Sequence, residues 1–119
     1  MSLVTKRPVV EALRQELRRG TLVLAVLAVL RGEKNGTMVR DALAEAGVEI
    51  EEGALYPMLR RLEDQGLLMS EWRVEGSRNK RFYRLSPAGA DTYATLLAEW
   101  REQTAGLTAL TRSKPDDRR

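Results

Sequence analysis

The sequence predicts a mainly α-helical chain carrying one small β-hairpin, on three observations. Apolar residues recur at helical spacing over most of its 119 residues, and the period switches to alternation only between Leu67 and Ser86. Glycines also stand where periodic segments end, at Gly20, Gly47 and Gly66. The length and the 43% hydrophobic, 31% charged composition fit one globular unit.

Taken in order, Pro8 suits the first turn of a helix in which Val9, Val10, Leu13 and Leu17 form an apolar stripe that Gly20 closes, an amphipathic arm over residues 1–19. Thr21 can cap the adjoining apolar run Leu22 to Leu30. At nine residues this run is core, because a bilayer span needs roughly 20. Gly32 to Gly36 reads as a loop, and Thr37 as the cap of a short helix with Val39, Ala42, Leu43 and Ala46 on one face. A third helix is expected from about Glu52 to Gln65, burying Leu55, Met58, Leu59 and Leu62 and turning Arg60, Arg61, Asp64 and Gln65 outward. Pro57 requires that helix either to start later or to bend. Leu68, Ser70, Trp72 and Val74 alternate along one strand, Gly76-Ser77-Arg78-Asn79 is turn material, and Phe82, Tyr83 and Leu85 mark the return. Ser86-Pro87 is a cap with proline at the first helical position, opening a last helix over residues 87–111. Tyr93, Leu96, Trp100, Leu107 and Leu110 make its near-heptad stripe, broken at Gln103 and loosened by Gly106. Residues 112–119 hold no apolar side chain and are expected to be disordered.

The chain has no histidine and no cysteine, which removes imidazole bases, thiolate nucleophiles, Cys/His zinc sites and disulfides. The adjacent acid pairs Glu51-Glu52 and Asp116-Asp117 do not resemble a two-carboxylate site, and no Lys-Ser/Thr pair stands after Gly36 to make a phosphate cradle. The expectation is a protein that is not an enzyme and uses no metal or cofactor. With neither a spanning segment nor a leader, it is also expected to be cytoplasmic and independent of membranes. The net charge of +3 is unevenly spread. Met1 to Gly20 and Leu67 to Arg84 each hold five basic residues against two acidic ones, a local balance suited to phosphate contact.

Three helices and then a basic hairpin is the order of a winged helix-turn-helix, here over residues 20–86. In that architecture the third helix enters a major groove about 12 Å wide and the hairpin wing reaches the backbone beside it. The amphipathic helices at both ends cannot easily bury their stripes on so small a body, so dimerisation through them is the simpler solution. The interface expected on this ground is Val10, Leu13 and Leu17 with Tyr93, Leu96, Trp100 and Leu107.

The run Leu55-Tyr56-Pro57-Met58-Leu59-Arg60-Arg61-Leu62-Glu63-Asp64-Gln65-Gly66-Leu67-Leu68 resembles the recognition-helix signature of PadR-like transcriptional regulators. The likeness extends through the wing return Arg81-Phe82-Tyr83-Arg84-Leu85-Ser86-Pro87-Ala88-Gly89 to Trp100. It implies a homodimeric winged-helix repressor with a single C-terminal dimerisation helix, acting on a pseudopalindromic operator in double-stranded DNA. It also implies DNA contact by Thr37, Gly53, Ala54, Tyr56, Pro57 and Arg60, and by Arg78, Lys80 and Arg81 of the wing. Tyr93, Leu97 and Trp100 become the candidate site for a small hydrophobic or aromatic effector. Members commonly carry Gly-Tyr where this chain has Gly36-Thr37, and a capped Pro-Gly start where it has Glu51-Glu52. Carboxylates there suit the helix macrodipole but repel phosphate. The alternative reading is therefore a dimeric winged-helix protein-interaction module that has lost DNA binding.

Overall fold

The computed structural model describes residues 3–51 and 53–115. The elements run α1 (Leu3–Val29), β1 (Lys34–Asn35), α2 (Gly36–Glu45), α3 (Leu55–Asp64), β2 (Leu68–Glu75), β3 (Arg78–Leu85) and α4 (Pro87–Arg112). The sheet is antiparallel in the order β1-β3-β2, with Lys34 opposite Tyr83 on one side of β3 and Leu68 opposite Leu85 on the other. Among the described residues, no helix is long and apolar enough to cross a membrane.

One core holds the body together: Val26, Leu27 and Leu30 at the end of α1, Val39 and Leu43 of α2, Leu55, Met58, Leu59 and Leu62 of α3, and Leu68 and Tyr83 of the sheet. The stripe expected on α3 is the one buried, whereas on α2 Val39 and Leu43 are buried, Ala42 is half-buried, and Ala46 is exposed just past the end of the helix. Gly66 ends α3 in a left-handed turn at φ 83°, where the Leu67 amide reaches back to the Leu62 carbonyl and the Gly66 amide to that of Glu63. A side chain at this position would be strained, which is why a glycine closes the helix. Ser86 caps α4 as expected. Its hydroxyl accepts from the Gly89 amide at 2.9 Å and donates to the Gly66 carbonyl at 2.6 Å, tying the end of α3 to the start of α4.

Several local expectations are corrected. The arm and the first core segment are a single helix that begins at Leu3, leaving Pro8 inside it rather than at its first turn. Gly20 does not stop that helix, since the roughly 1 kcal/mol penalty of an internal glycine is small beside the burial of the apolar run just beyond it. Thr21 accordingly caps nothing and donates instead to the Leu17 carbonyl. Asn35, not Thr37, caps α2, its Oδ1 accepting from the Met38 amide at 2.9 Å, and with Lys34 it forms a strand where only a loop was expected. The third helix starts at Leu55 instead of Glu52, which puts Pro57 in its first turn, where the missing amide costs no helical hydrogen bond. The hairpin turn shortens to Gly76-Ser77, because Glu75 pairs with Arg78 and Val74 with Asn79. Residues 113–115 of the expected tail are described beyond the end of α4, and 116–119 lie outside the described residues.

Candidate nucleic-acid interface

The exposed face of α3, the N-terminus of α2 and the wing enclose an open cleft of about 440 Å³. Its lining is Asn35, Gly36, Thr37, Tyr56, Arg60, Trp72, Arg78, Asn79, Lys80, Arg81 and Tyr83. The geometry comes from three local features. The apolar stripe of α3 faces the core, so Tyr56 and Arg60, one turn apart, must face outward. Asn35 starts α2 at the cleft and leaves the Gly36 and Thr37 amides at a helix N-terminus, the end of a helix that favours anions. Beyond its short pairing with β1, β3 has a free edge, and Arg78 to Arg81 border the cleft along it.

Among the described residues no carboxylate lines the cleft, and the four cations in its lining differ in how far they are committed. Arg60 and Arg78 form no ion pair among the described residues. Lys80 sits 3.5 Å from Glu75 in an exposed pair, which is weak and easily exchanged for another anion. Arg81 is held more firmly: its Nη2 donates to Glu63 Oε1 at 3.0 Å and its Nε to Ser70 Oγ at 2.9 Å, while that hydroxyl donates to Glu63 Oε2 at 2.6 Å. Its guanidinium also lies 5.5 Å from the Trp72 ring centre and 5.7 Å from that of Tyr83. Burial pushes the Tyr83 phenol above the usual tyrosine range, with the nearby Arg81 charge opposing it.

The structure thus brings Thr37, Tyr56, Arg60, Arg78, Lys80 and Arg81 together on one cleft. Gly53 and Ala54 lie in the turn before α3, and Pro57 is exposed on that helix, all three outside the lining. Glu51 lines a separate depression with Arg18 and Arg40, away from the cleft, and Glu52 lies outside the described residues. Sequence reasoning missed Trp72 and Tyr83 as cleft residues, although the period of two already put Trp72 on the same strand face as Ser70. It also missed Glu63 and Ser70, for which no local pattern signals a partner across the fold. On α4, Tyr93 is half-buried against the core of its own chain with Arg31 over its ring at 5.7 Å, and Leu97 is half-buried. Val9, Val10, Leu13 and Leu17 on α1 and Leu96, Trp100, Leu107 and Leu110 on α4 are exposed.

The sequence and fold resemble those of known proteins. The profile of the Transcriptional regulator PadR-like family matches residues 23–95. Transcriptional regulator Rv3488 of Mycobacterium tuberculosis is 40% identical over 76 residues, 63% of this chain and 71% of that protein. The crystal structure of a PadR family transcriptional regulator from Eggerthella lenta superposes with a TM-score of 0.81 at 38% identity, covering 93% of this chain and 99% of that one. A PadR-like transcription factor from Bacteroides fragilis superposes with a TM-score of 0.69 at 26% identity, over 83% and 98% of the two chains. With most of its length matched and the winged helix in place, the chain belongs to the PadR-like family of transcriptional regulators.

Proposed function

We infer that this regulator is a homodimeric repressor that reads a pseudopalindromic site in double-stranded DNA through the cleft. The observation carrying this reading is that Thr37, Tyr56, Arg60, Arg78 and Lys80, from three separate elements, converge on one cleft, with no carboxylate in its lining among the described residues. Tyr56 and Arg60 have the position and chemistry to reach base edges from α3. Arg78, Lys80 and the α2 N-terminus suit the phosphates that fix register. Gly53, Ala54 and Pro57 flank the reading face, where backbone and small side chains permit close approach.

The exposed stripes of α1 and α4 support a dimer, since so much apolar surface on protruding helices calls for a partner with the same need. A small hydrophobic or aromatic effector fits best where Leu97 and Trp100 meet that interface, with Tyr93 at its inner edge. It would act by favouring one spacing of the two recognition helices over another. The matched family is one of transcriptional regulators, which supports reading this chain as a non-enzymatic regulator.

The test is selection of duplexes from a random-sequence pool by the purified protein at two salt concentrations. Enrichment of a two-fold symmetric site that survives moderate salt is the expected result. Failure to enrich any sequence, with weak retention even at low salt, would replace this reading by the protein-interaction module.

A further inference from the structure

We propose that Glu63, Ser70 and Arg81 form a latch that sets the wing against the recognition helix and withholds the Arg81 guanidinium from phosphate, making Glu63 a specificity-determining residue. This rests on the reading of the cleft as a DNA interface and assigns a separate task to residues that border it.

The three groups close a ring of hydrogen bonds. Both carboxylate oxygens of Glu63 are used, one by Arg81 at 3.0 Å and one by Ser70 at 2.6 Å, and Ser70 Oγ accepts from Arg81 Nε at 2.9 Å. Each member comes from a different element: Glu63 from the last turn of α3, Ser70 from β2 and Arg81 from β3. The ring therefore cross-braces both strands of the wing to the recognition helix. The Glu63 and Arg81 side chains are only 24% and 34% exposed, so this pair is less screened than the Lys80–Glu75 pair further out on the wing. Trp72, directly opposite Arg81 in the hairpin, adds a cation–π contact, its ring centre 5.5 Å from the guanidinium.

The consequence is a division of labour among cations on one short strand. An arginine free to swing onto any phosphate strengthens binding to every duplex alike and lowers discrimination. Held by Glu63, Arg81 contributes shape instead of charge: it fixes how far the tip cations Arg78 and Lys80 stand from Tyr56 and Arg60.

The test measures affinity for a random-sequence duplex across a salt series, alongside affinity for the enriched operator. Glu63→Gln keeps the side-chain shape but removes the charge that holds Arg81. One additional phosphate contact steepens the logarithmic salt slope by about 0.9, an extra loss of about 3.5-fold for a fourfold rise in salt. The expected result is that steeper slope, together with a smaller ratio of operator to random-duplex affinity. Asp64→Asn, an equal charge change on the same helix, supplies the background to subtract. Glu63→Gln combined with Arg81→Gln returns the slope to the wild-type value. Arg81→Lys, which keeps the charge but loses the fork that serves Ser70 and Glu63 together, moves the slope in the same direction as Glu63→Gln and covers the case in which that variant does not fold.

A slope in folded Glu63→Gln no steeper than in Asp64→Asn, or a steepening that persists without Arg81, would overturn the latch while leaving DNA binding standing. Absence of salt-dependent duplex binding by the wild-type protein would overturn both.

Discussion

Gly36 offers a direct probe of whether Tyr56 reads DNA, because the two residues meet in the cleft wall. Gly36 is buried at the first position of α2, and a β-carbon built there lies 2.5 Å from Cε1 and Cζ of the Tyr56 ring. Carbon atoms pack at about 3.5–4.0 Å, so Gly36→Ala must displace the ring by at least about 1 Å. The backbone at Gly36 is not in the left-handed region, so alanine brings no conformational strain of its own. Tyr56 is 44% exposed and can swing outward into the cleft, which keeps the stability cost near 1 kcal/mol or less. Binding has no such escape, because the ring then occupies space through which α3 approaches the bases.

A specific base or groove contact is worth about 1–3 kcal/mol, so operator affinity in Gly36→Ala is expected to fall by about 5- to 150-fold. Tyr56→Ala removes the same contact. The double variant should then bind no worse than the weaker single one, a non-additivity that marks one shared interaction. Fluorescence anisotropy with the selected operator measures binding, and urea denaturation checks that the fold is intact. Wild-type affinity in Gly36→Ala, or full additivity of the two substitutions, would refute the argument that Tyr56 is placed by Gly36 for DNA contact.

The same geometry sets other expectations. Arg78→Gln with Lys80→Gln should weaken binding to all duplexes and lower the salt slope by up to about 1.8, seen in the same anisotropy titrations. Ser86→Ala removes the α4 cap and strands the Gly66 carbonyl, and is expected to cost about 2 kcal/mol by urea denaturation. Burial raises the Tyr83 pKa in the folded chain, so the stability linked to its neutral form is complete below the ordinary tyrosine value of 10.0 and is lost as pH rises through the folded value. Wild-type protein should therefore lose stability more steeply than Tyr83→Phe above about pH 10, read as urea midpoints across that range. Leu13→Glu and Leu107→Glu place charges on the exposed stripes, and each should shift sedimentation from dimer to monomer without lowering helicity.

Much of the fold was legible because its signals are local. Leu55, Met58, Leu59 and Leu62 recur at helical spacing, so the buried side of α3 could be read directly, and with it the outward placement of Tyr56 and Arg60. Gly66 was legible as a stop, whereas Gly20 misled, and the difference lies in the residues beyond each glycine. After Gly66 the chain must turn into β2, and only the left-handed backbone allows it. After Gly20 the apolar residues Leu22 to Leu30 belong on the continuing helix, whose burial outweighs glycine's weak helix propensity. Strand β1 was illegible for the opposite reason. Two residues carry no period, and Lys34 and Asn35 are extended because Tyr83 and Phe82 pair with them from far along the chain. The cleft was legible as a basic hairpin beside an exposed helix face. Which cations are free and which are tied was not, because Arg81 meets its partner Glu63 across 18 residues and two elements.

The continuity of α1 bears on how a signal at one end of the molecule reaches the other. With Gly20 as a stop, the arm would be a separate piece hinged on the body. As a single helix from Leu3 to Val29, it runs without a break from the exposed stripe at Val9, Val10, Leu13 and Leu17 to Val26 and Leu27, fully buried in the core that also holds α3. α1 also packs against α4, where Arg31, just past its end, covers the ring of Tyr93. In the proposed dimer, a change in how α4 meets its partner therefore acts on a lever whose inner end is buried in the core that α3 shares. The packed core deforms poorly, so the body, cleft and latched wing must move as one unit. On the dimeric reading proposed above, the quantity this lever sets is the distance between two clefts, on which recognition of a two-fold operator depends.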